Sequence, residues 1–163
     1  MLKDLPRYER VLEAVQHYPT VDPSAQEAFL HLLRTTDLMT LKTRDFLNRH
    51  QISQGRFTVM MLLHRPWMTK KQTPASLAEE AGVTRATMTG LIDTLERDGL
   101  VFRWNGSTDR RVTVIELTLE GEKRLEKMIP ECFSIMSKVM SPLSETERKE
   151  LVYLLQKIRN TAS

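Results

Sequence analysis

Residues 73–101 read TPASLAEEAGVTRATMTGLIDTLERDGLV, and the order of caps, small residues and glycines in this stretch decides the fold. Thr73 is a hydroxyl cap. Pro74 suits a first helical turn, whose N–H groups have no intrahelical acceptor in any case. The spacing predicts a helix over Pro74–Ala81, stopped by Gly82 in the left-handed conformation that a residue without Cβ enters at little cost. Thr84 caps a second helix that ends at Gly99. Leu100, just beyond, can fold back on Leu95, the apolar contact that accompanies a glycine-terminated helix. Met88, Leu91, Ile92 and Leu95 share one side of this second helix at helical period. The other side carries Ala86, Thr89, Gly90, Asp93 and Arg97. Taken alone, a helix–Gly–helix unit is equally a common hairpin that packs on a core.

The following segment distinguishes the two readings. LVFRW (100–104) and VTVIEL (112–117) are runs rich in β-branched and aromatic residues, and NGSTDRR (105–111) between them is turn-forming with two adjacent arginines. The pattern predicts a β-hairpin with a cationic tip. An arginine on such a tip can enter a narrow, electronegative minor groove. Asp109, two residues before Arg111, is placed to hold its guanidinium at a fixed angle. Helix, tight turn, helix and basic hairpin together are what a winged helix-turn-helix needs to read duplex DNA. A recognition helix presents its N-terminal residues to base edges in the major groove; here those are Thr84, Arg85, Ala86, Thr87, Thr89 and Gly90. Arg85 has two options, a guanine edge or a phosphate. Arg103, on the first strand of the hairpin, joins the candidate DNA-binding residues.

The run from Leu77 to Gly121 resembles the MarR (multiple antibiotic resistance regulator) family of bacterial transcription factors. The most diagnostic pieces are TMT (87–89), LERDGLV (95–101), DRR (109–111) and LTLEG (117–121), which are specific together and weak singly. The match is strong over 54–121 and weaker over the flanking helices. The resemblance implies a helix in the major groove and a wing in the minor groove. It also implies Asp109 as the brace, Arg111 as the wing finger and Arg110 as a phosphate contact. One departure is Gly90, where family members often carry Arg, so the base-reading pattern differs. The resemblance further implies an obligate homodimer and a small aromatic or anionic effector bound between the dimer helices and the DNA-binding lobe.

The flanks read as helices. Leu2–Tyr18 is amphipathic and ends before Pro19. Asp22 and Pro23 open a long helix to about Arg49, whose apolar residues cover more than one face, as burial against both its own domain and a partner chain requires. Ser53 caps a helix through about His64. After the hairpin, Leu119 to about Met140 is helical with a kink expected at Pro130. Ser144 and Glu147 form a capping-box pattern for a last helix to about Arg159, with Leu151, Val152, Leu154, Leu155 and Ile158 as its stripe. The expected fold is mainly α with a small β-hairpin wing. A winged helix-turn-helix (50–118) is flanked by N- and C-terminal dimerisation helices (1–49 and 119–163) in one compact domain per chain. A homodimer also fits DNA geometry: two-fold-related recognition helices read half-sites of a pseudo-palindromic operator about 34–36 Å apart.

For an effector, the expected wall is Arg34, Met39, Phe57, Met60, Met61, His64, Arg65, Trp67 and Met68. Methionine and aromatic side chains wrap an irregular apolar ligand, and Arg34 or Arg65 pairs with a carboxylate. The same Met-rich stripe also reads as ordinary core.

Composition fits this picture. The chain has 163 residues and a net charge of +3, with an isoelectric point near 9.1, which permits DNA binding without proving it. Its single cysteine, Cys132, forms no intramolecular disulfide. With no apolar leader at the N-terminus and no membrane-length apolar run, a cytoplasmic location with no membrane partner is expected. His17, His31, His50 and His64 lack metal-ligand spacing, and neither a phosphate-cradling glycine loop nor a nucleophile elbow occurs, so neither an enzyme nor a cofactor or metal is expected. Two alternatives to a ligand-released repressor remain: a winged-helix module that binds protein, and a redox- or metal-responsive regulator.

Overall fold

A computed structural model of the chain describes residues 12–13, 18, 20–64, 71–105 and 112–162. It divides into two compact units, Met1–Gln51 and Ile52–Ser163. The first holds helix α1 (Pro23–Arg49). Asp22 caps it, its carboxylate accepting from the backbone N–H groups of Ser24 and Ala25 at 2.9 and 3.3 Å. The hydroxyl of Ser24, with these amides, holds that carboxyl below its ordinary value. Phe29, Leu33, Leu38 and Leu41 are exposed on α1, while Phe46 and Leu47 near its end are buried. The helix expected over Leu2–Tyr18 lies outside the described residues, apart from Leu12 and Glu13, which are helical, and Tyr18, which is not.

The second unit runs α2 (Gln54–Leu63), α3 (Pro74–Ala81), α4 (Arg85–Arg97), β1 (Val101–Asn105), β2 (Thr113–Leu117), α5 (Leu119–Met140) and α6 (Glu145–Ala162). Its core draws on Val59 and Met60 of α2, Leu77 of α3, Met88, Ile92 and Leu95 of α4, Val101, Val114 and Ile115 of the wing, and Leu125 and Met128 of α5. Fully burying such side chains contributes about 1.5–3 kcal/mol each, so this shared core fixes α4 against the rest.

Local chemistry sets the boundaries. Thr73 accepts from Ser76 N–H at 3.1 Å, and the Ser76 hydroxyl accepts from Thr73 N–H at 2.9 Å, a reciprocal cap on α3. Gly82, at φ +66°, ends it. At the end of α4, Gly99 adopts φ +70°, and the N–H groups of Gly99 and Leu100 donate to Glu96 and Leu95 carbonyls at 3.0 and 2.9 Å. Both orphan carbonyls are thereby satisfied, with Leu100 and Leu95 buried as the expected apolar contact. Because Leu100 serves this stop, β1 begins one residue later than the apolar run does. The two strands pair antiparallel with Val101 opposite Leu117 and Trp104 opposite Val114.

Helix α5 is docked on that same turn. Thr118 donates its hydroxyl to the Gly99 carbonyl at 2.6 Å and accepts from Gly121 N–H at 3.0 Å. A Cβ on Gly121 would lie 2.1 Å from the Leu100 carbonyl oxygen, so only glycine allows this approach. Pro130 sits inside α5 without ending it; lacking an N–H, it leaves the Glu126 carbonyl without a helical donor. At α6, Ser144 N–H donates to Glu147 at 2.7 Å and Glu147 N–H donates back to Ser144 at 3.3 Å, the capping box read from sequence. The helix continues to Ala162, beyond the expected end. No helix among the described residues is long and apolar enough to cross a membrane.

Candidate nucleic-acid interface

Helix α4 is held from one side and open on the other. Met88, Ile92 and Leu95 have no exposed surface, while Arg85, Ala86, Thr87, Thr89, Gly90 and Asp93 are exposed. Thr84 is the N-cap: its hydroxyl accepts from Thr87 N–H at 3.1 Å and lies 2.9 Å from the Thr87 hydroxyl. Thr84 and Thr87 therefore spend hydrogen-bonding capacity on the helix start. Thr89 donates its hydroxyl to the Arg85 carbonyl at 2.9 Å, which uses its one hydrogen and leaves the oxygen to act toward a partner only as an acceptor. Arg85 has no ion pair among the described residues. It borders an open depression of about 360 Å³ shared with Thr73, Pro74 and Ala75 at the start of α3, with Thr89, and with Val112 and Thr113 at the root of the wing. One long cation thus stands where the first turns of two helices and the wing converge.

Arg103 is placed differently. From β1 its guanidinium donates to Glu96 at 2.7 Å and to Asp93, both on α4. The wing is tied to the recognition helix by a two-carboxylate clamp that is only partly exposed. Arg56 of α2 makes a similar tie to Asp98 at the end of α4, at 2.7 Å. The wing is further fixed to α3 through Gln72, which is buried: its carbonyl accepts from Ile115 N–H at 2.9 Å, and its side chain bonds Ser76 and Glu80 at 2.7 and 3.1 Å. Lys71 stacks over the Trp104 ring at 4.1 Å from its centre. Asp93, Glu96 and Gln72 were not singled out by sequence reasoning as parts of the site. Their partners lie on other elements, where helical periodicity carries no information. Asp109, Arg110 and Arg111 lie outside the described residues.

Of the expected effector wall, Arg65, Trp67 and Met68 also lie outside the described residues. Phe57, Met61 and His64 of the second unit are half-buried, and Met60 is wholly buried core. Arg34 and Met39, half-buried, belong to the first unit. Cys132 is buried, and burial pushes its thiol up, away from the thiolate that oxidants attack. No group of three or more His, Cys, Asp or Glu side chains arranged to hold a metal occurs among the described residues.

Comparison with known proteins agrees with this geometry. The model of the MarR family matches residues 52–113. The HTH-type transcriptional repressor YetL of Bacillus subtilis is 37% identical over 154 residues, covering 94% of this chain and 92% of YetL. Among solved structures, the S. aureus MepR–DNA complex shares the fold, with a TM-score of 0.72 at 23% identity over 83% of this chain and 96% of that one. NadR in complex with 4-hydroxyphenylacetate superposes with a TM-score of 0.64 at 26% identity, covering 79% of this chain and 89% of NadR. With a buried-backed recognition helix, a wing clamped to it, and a relative of this identity along nearly the whole chain, the protein belongs to the MarR family of winged helix-turn-helix transcriptional regulators.

Proposed function

We propose that the protein is a homodimeric repressor that binds a pseudo-palindromic duplex operator and is released by a small aromatic or anionic ligand. The observation that carries the DNA-binding part is α4: Met88, Ile92 and Leu95 on its apolar side are fully buried and Leu91 half-buried, its N-terminal half presents Arg85, Ala86, Thr89 and Gly90 outward, and the wing is braced to it. Arg85 contacts the duplex directly, at a guanine edge or a phosphate. Arg103 is a positioning residue instead. Held by Glu96 and Asp93, it sets the angle between wing and helix so that Arg111 reaches the minor groove, with Asp109 bracing it and Arg110 on the backbone.

Repression is supported by the relative named a transcriptional repressor. An aromatic acid as the releasing ligand is supported by the 4-hydroxyphenylacetate held by NadR. Within the second unit, Arg65 serves as the anionic anchor, with Phe57, Met61, His64 and Trp67 as wall. Such a ligand acts only if it binds the released form better than the DNA-competent form, and a difference of about 1–3 kcal/mol gives a 5–150-fold effect on operator binding. Dimerisation is supported by the exposed apolar stripe of α6.

The test has two arms. Duplexes are selected by the protein from a random pool, and a panel of aromatic acids is then titrated into the free protein and into the complex. Selection of an inverted repeat, with a compound that binds and lowers DNA affinity, is the expected result. Compounds that bind the free protein and leave DNA affinity unchanged contradict the release mechanism, while failure to enrich any sequence contradicts DNA reading itself.

A further inference from the structure

We propose that Gly90 is a specificity-determining residue, the point on α4 where the duplex comes closest; this rests on the DNA-binding reading above. Glycine is the least favourable residue after proline in a helix interior, so its presence in the middle of α4 calls for a reason. Inside a protein the reasons are two: a backbone conformation that other residues resist, or a neighbour too close for a Cβ. Every other described glycine has one. Gly82 and Gly99 have positive φ; a Cβ on Gly55 would meet the Leu91 side chain at 3.0 Å, and one on Gly121 would strike the Leu100 carbonyl. Gly90 has neither. Its φ is not positive, and a Cβ built there meets nothing within 4 Å among the described residues.

No described part of the chain supplies the requirement, and on this exposed side of α4 the partner that would supply it is the duplex. Gly90 is exposed beside Ala86 one turn earlier and Asp93 one turn later, on the side opposite Met88, Ile92 and Leu95. Thr94 donates its hydroxyl to the Gly90 carbonyl at 2.9 Å, so that acceptor is occupied and the position offers a partner only its Cα hydrogens. Asp93, one turn on, pairs with Arg103 of the wing. A base edge meeting α4 here is admitted by shape, not by hydrogen bonding. A longer side chain would either push the helix out of the groove or read a different base.

Duplexes selected by the wild-type protein from a random pool provide the probe. Gly90→Ala should raise the melting temperature by about 2–4 °C, because alanine favours the helix and the space is empty. The same variant should bind the selected duplex at least tenfold more weakly. Gly90→Leu, another good helix former, should remain folded and bind more weakly still. Gly90→Arg should select a different base at one position of each half-site, guanine being the partner its fork fits best. Stability and affinity moving in opposite directions is the mark of a residue kept for its partner. A Gly90→Ala protein that binds the selected duplex as tightly as wild type overturns the inference while leaving DNA reading intact. A wild-type protein that enriches no sequence overturns both.

Discussion

Helix α4 buries Met88, Ile92 and Leu95 completely, whereas helix α6 leaves Val152, Tyr153, Leu154, Leu155 and Ile158 between 40% and 58% exposed. Both helices are capped by hydroxyl residues, and both carry apolar side chains at helical spacing. The difference lies in what completes them. Every apolar residue on the inner side of α4 finds a partner within its own unit, and its termini are closed by Thr84 and by the Gly99–Leu100 turn. Helix α6 is closed at its start by Ser144, and among the described residues its apolar surface is left half open. The contrast teaches that the exposed face of α4 is shaped from within its own unit, whereas the proposed homodimer would give the open stripe of α6 a second copy to bury against.

The strongest way to break that contrast is to remove α6. Ending the chain before Ser144 should abolish dimerisation and, with it, most operator affinity, because a single half-site contact replaces two. Analytical ultracentrifugation of the full chain at micromolar concentration should show a dimer, and a well-folded full-length monomer there would remove the case for α6 as an interface. Next in size is Leu95→Ala, which opens a cavity in the core behind α4 and should cost about 2–5 kcal/mol in chemical denaturation. The matching change Leu155→Ala should shift the dimer–monomer equilibrium and leave intramolecular packing almost unchanged. Equal and concentration-independent losses from both would erase the distinction.

A smaller effect is expected from Arg103→Ala. If Arg103 acts through the wing's position, duplex affinity falls while the slope of log K against log salt stays that of the wild type. A slope reduced by about 0.9 would instead mark Arg103 as a phosphate contact. The smallest effect belongs to the start of α6. The Ser144 hydroxyl and N–H hold the Glu147 carboxyl below its ordinary value. A depressed carboxyl adds stability that is complete above its unfolded value and is lost as pH falls through the folded one. Glu147→Gln should therefore melt slightly lower than wild type at pH 7 and match it in strong acid. A difference that persists unchanged at both pH values would show that the carboxylate charge plays no part.

The ends of elements were legible because they depend on residues a few positions apart. Asp22 before Pro23, Ser53, Thr73, Gly82, Thr84, Gly99 and the Ser144–Glu147 pair all act within one helical turn, and each sits where its chemistry indicates. The open side of α4 was legible too, since period alone separates Ala86, Thr89 and Gly90 from Met88, Ile92 and Leu95. Contacts between elements were not. Nothing local marks Arg103 as a partner of Asp93 and Glu96, so it reads as one more surface cation available to DNA. Neither does composition separate Met60, wholly buried, from its neighbour Met61, half-buried. The glycine of LTLEG was visible as a motif, but its reason, the Leu100 carbonyl against Gly121, appears only in three dimensions.

The most direct test of DNA reading by α4 is the affinity of the protein for its selected duplex, measured across a range of salt concentrations with wild type and Arg85→Ala side by side. Wild-type log K should fall linearly with log salt, by about 0.9 for each phosphate contacted. Arg85→Ala should either lose about 1–3 kcal/mol with relaxed preference at one base pair, marking a guanine contact, or lose affinity uniformly with a slope smaller by about 0.9, marking a phosphate contact. Binding that ignores both the salt and the substitution would contradict an interface built on the exposed face of α4.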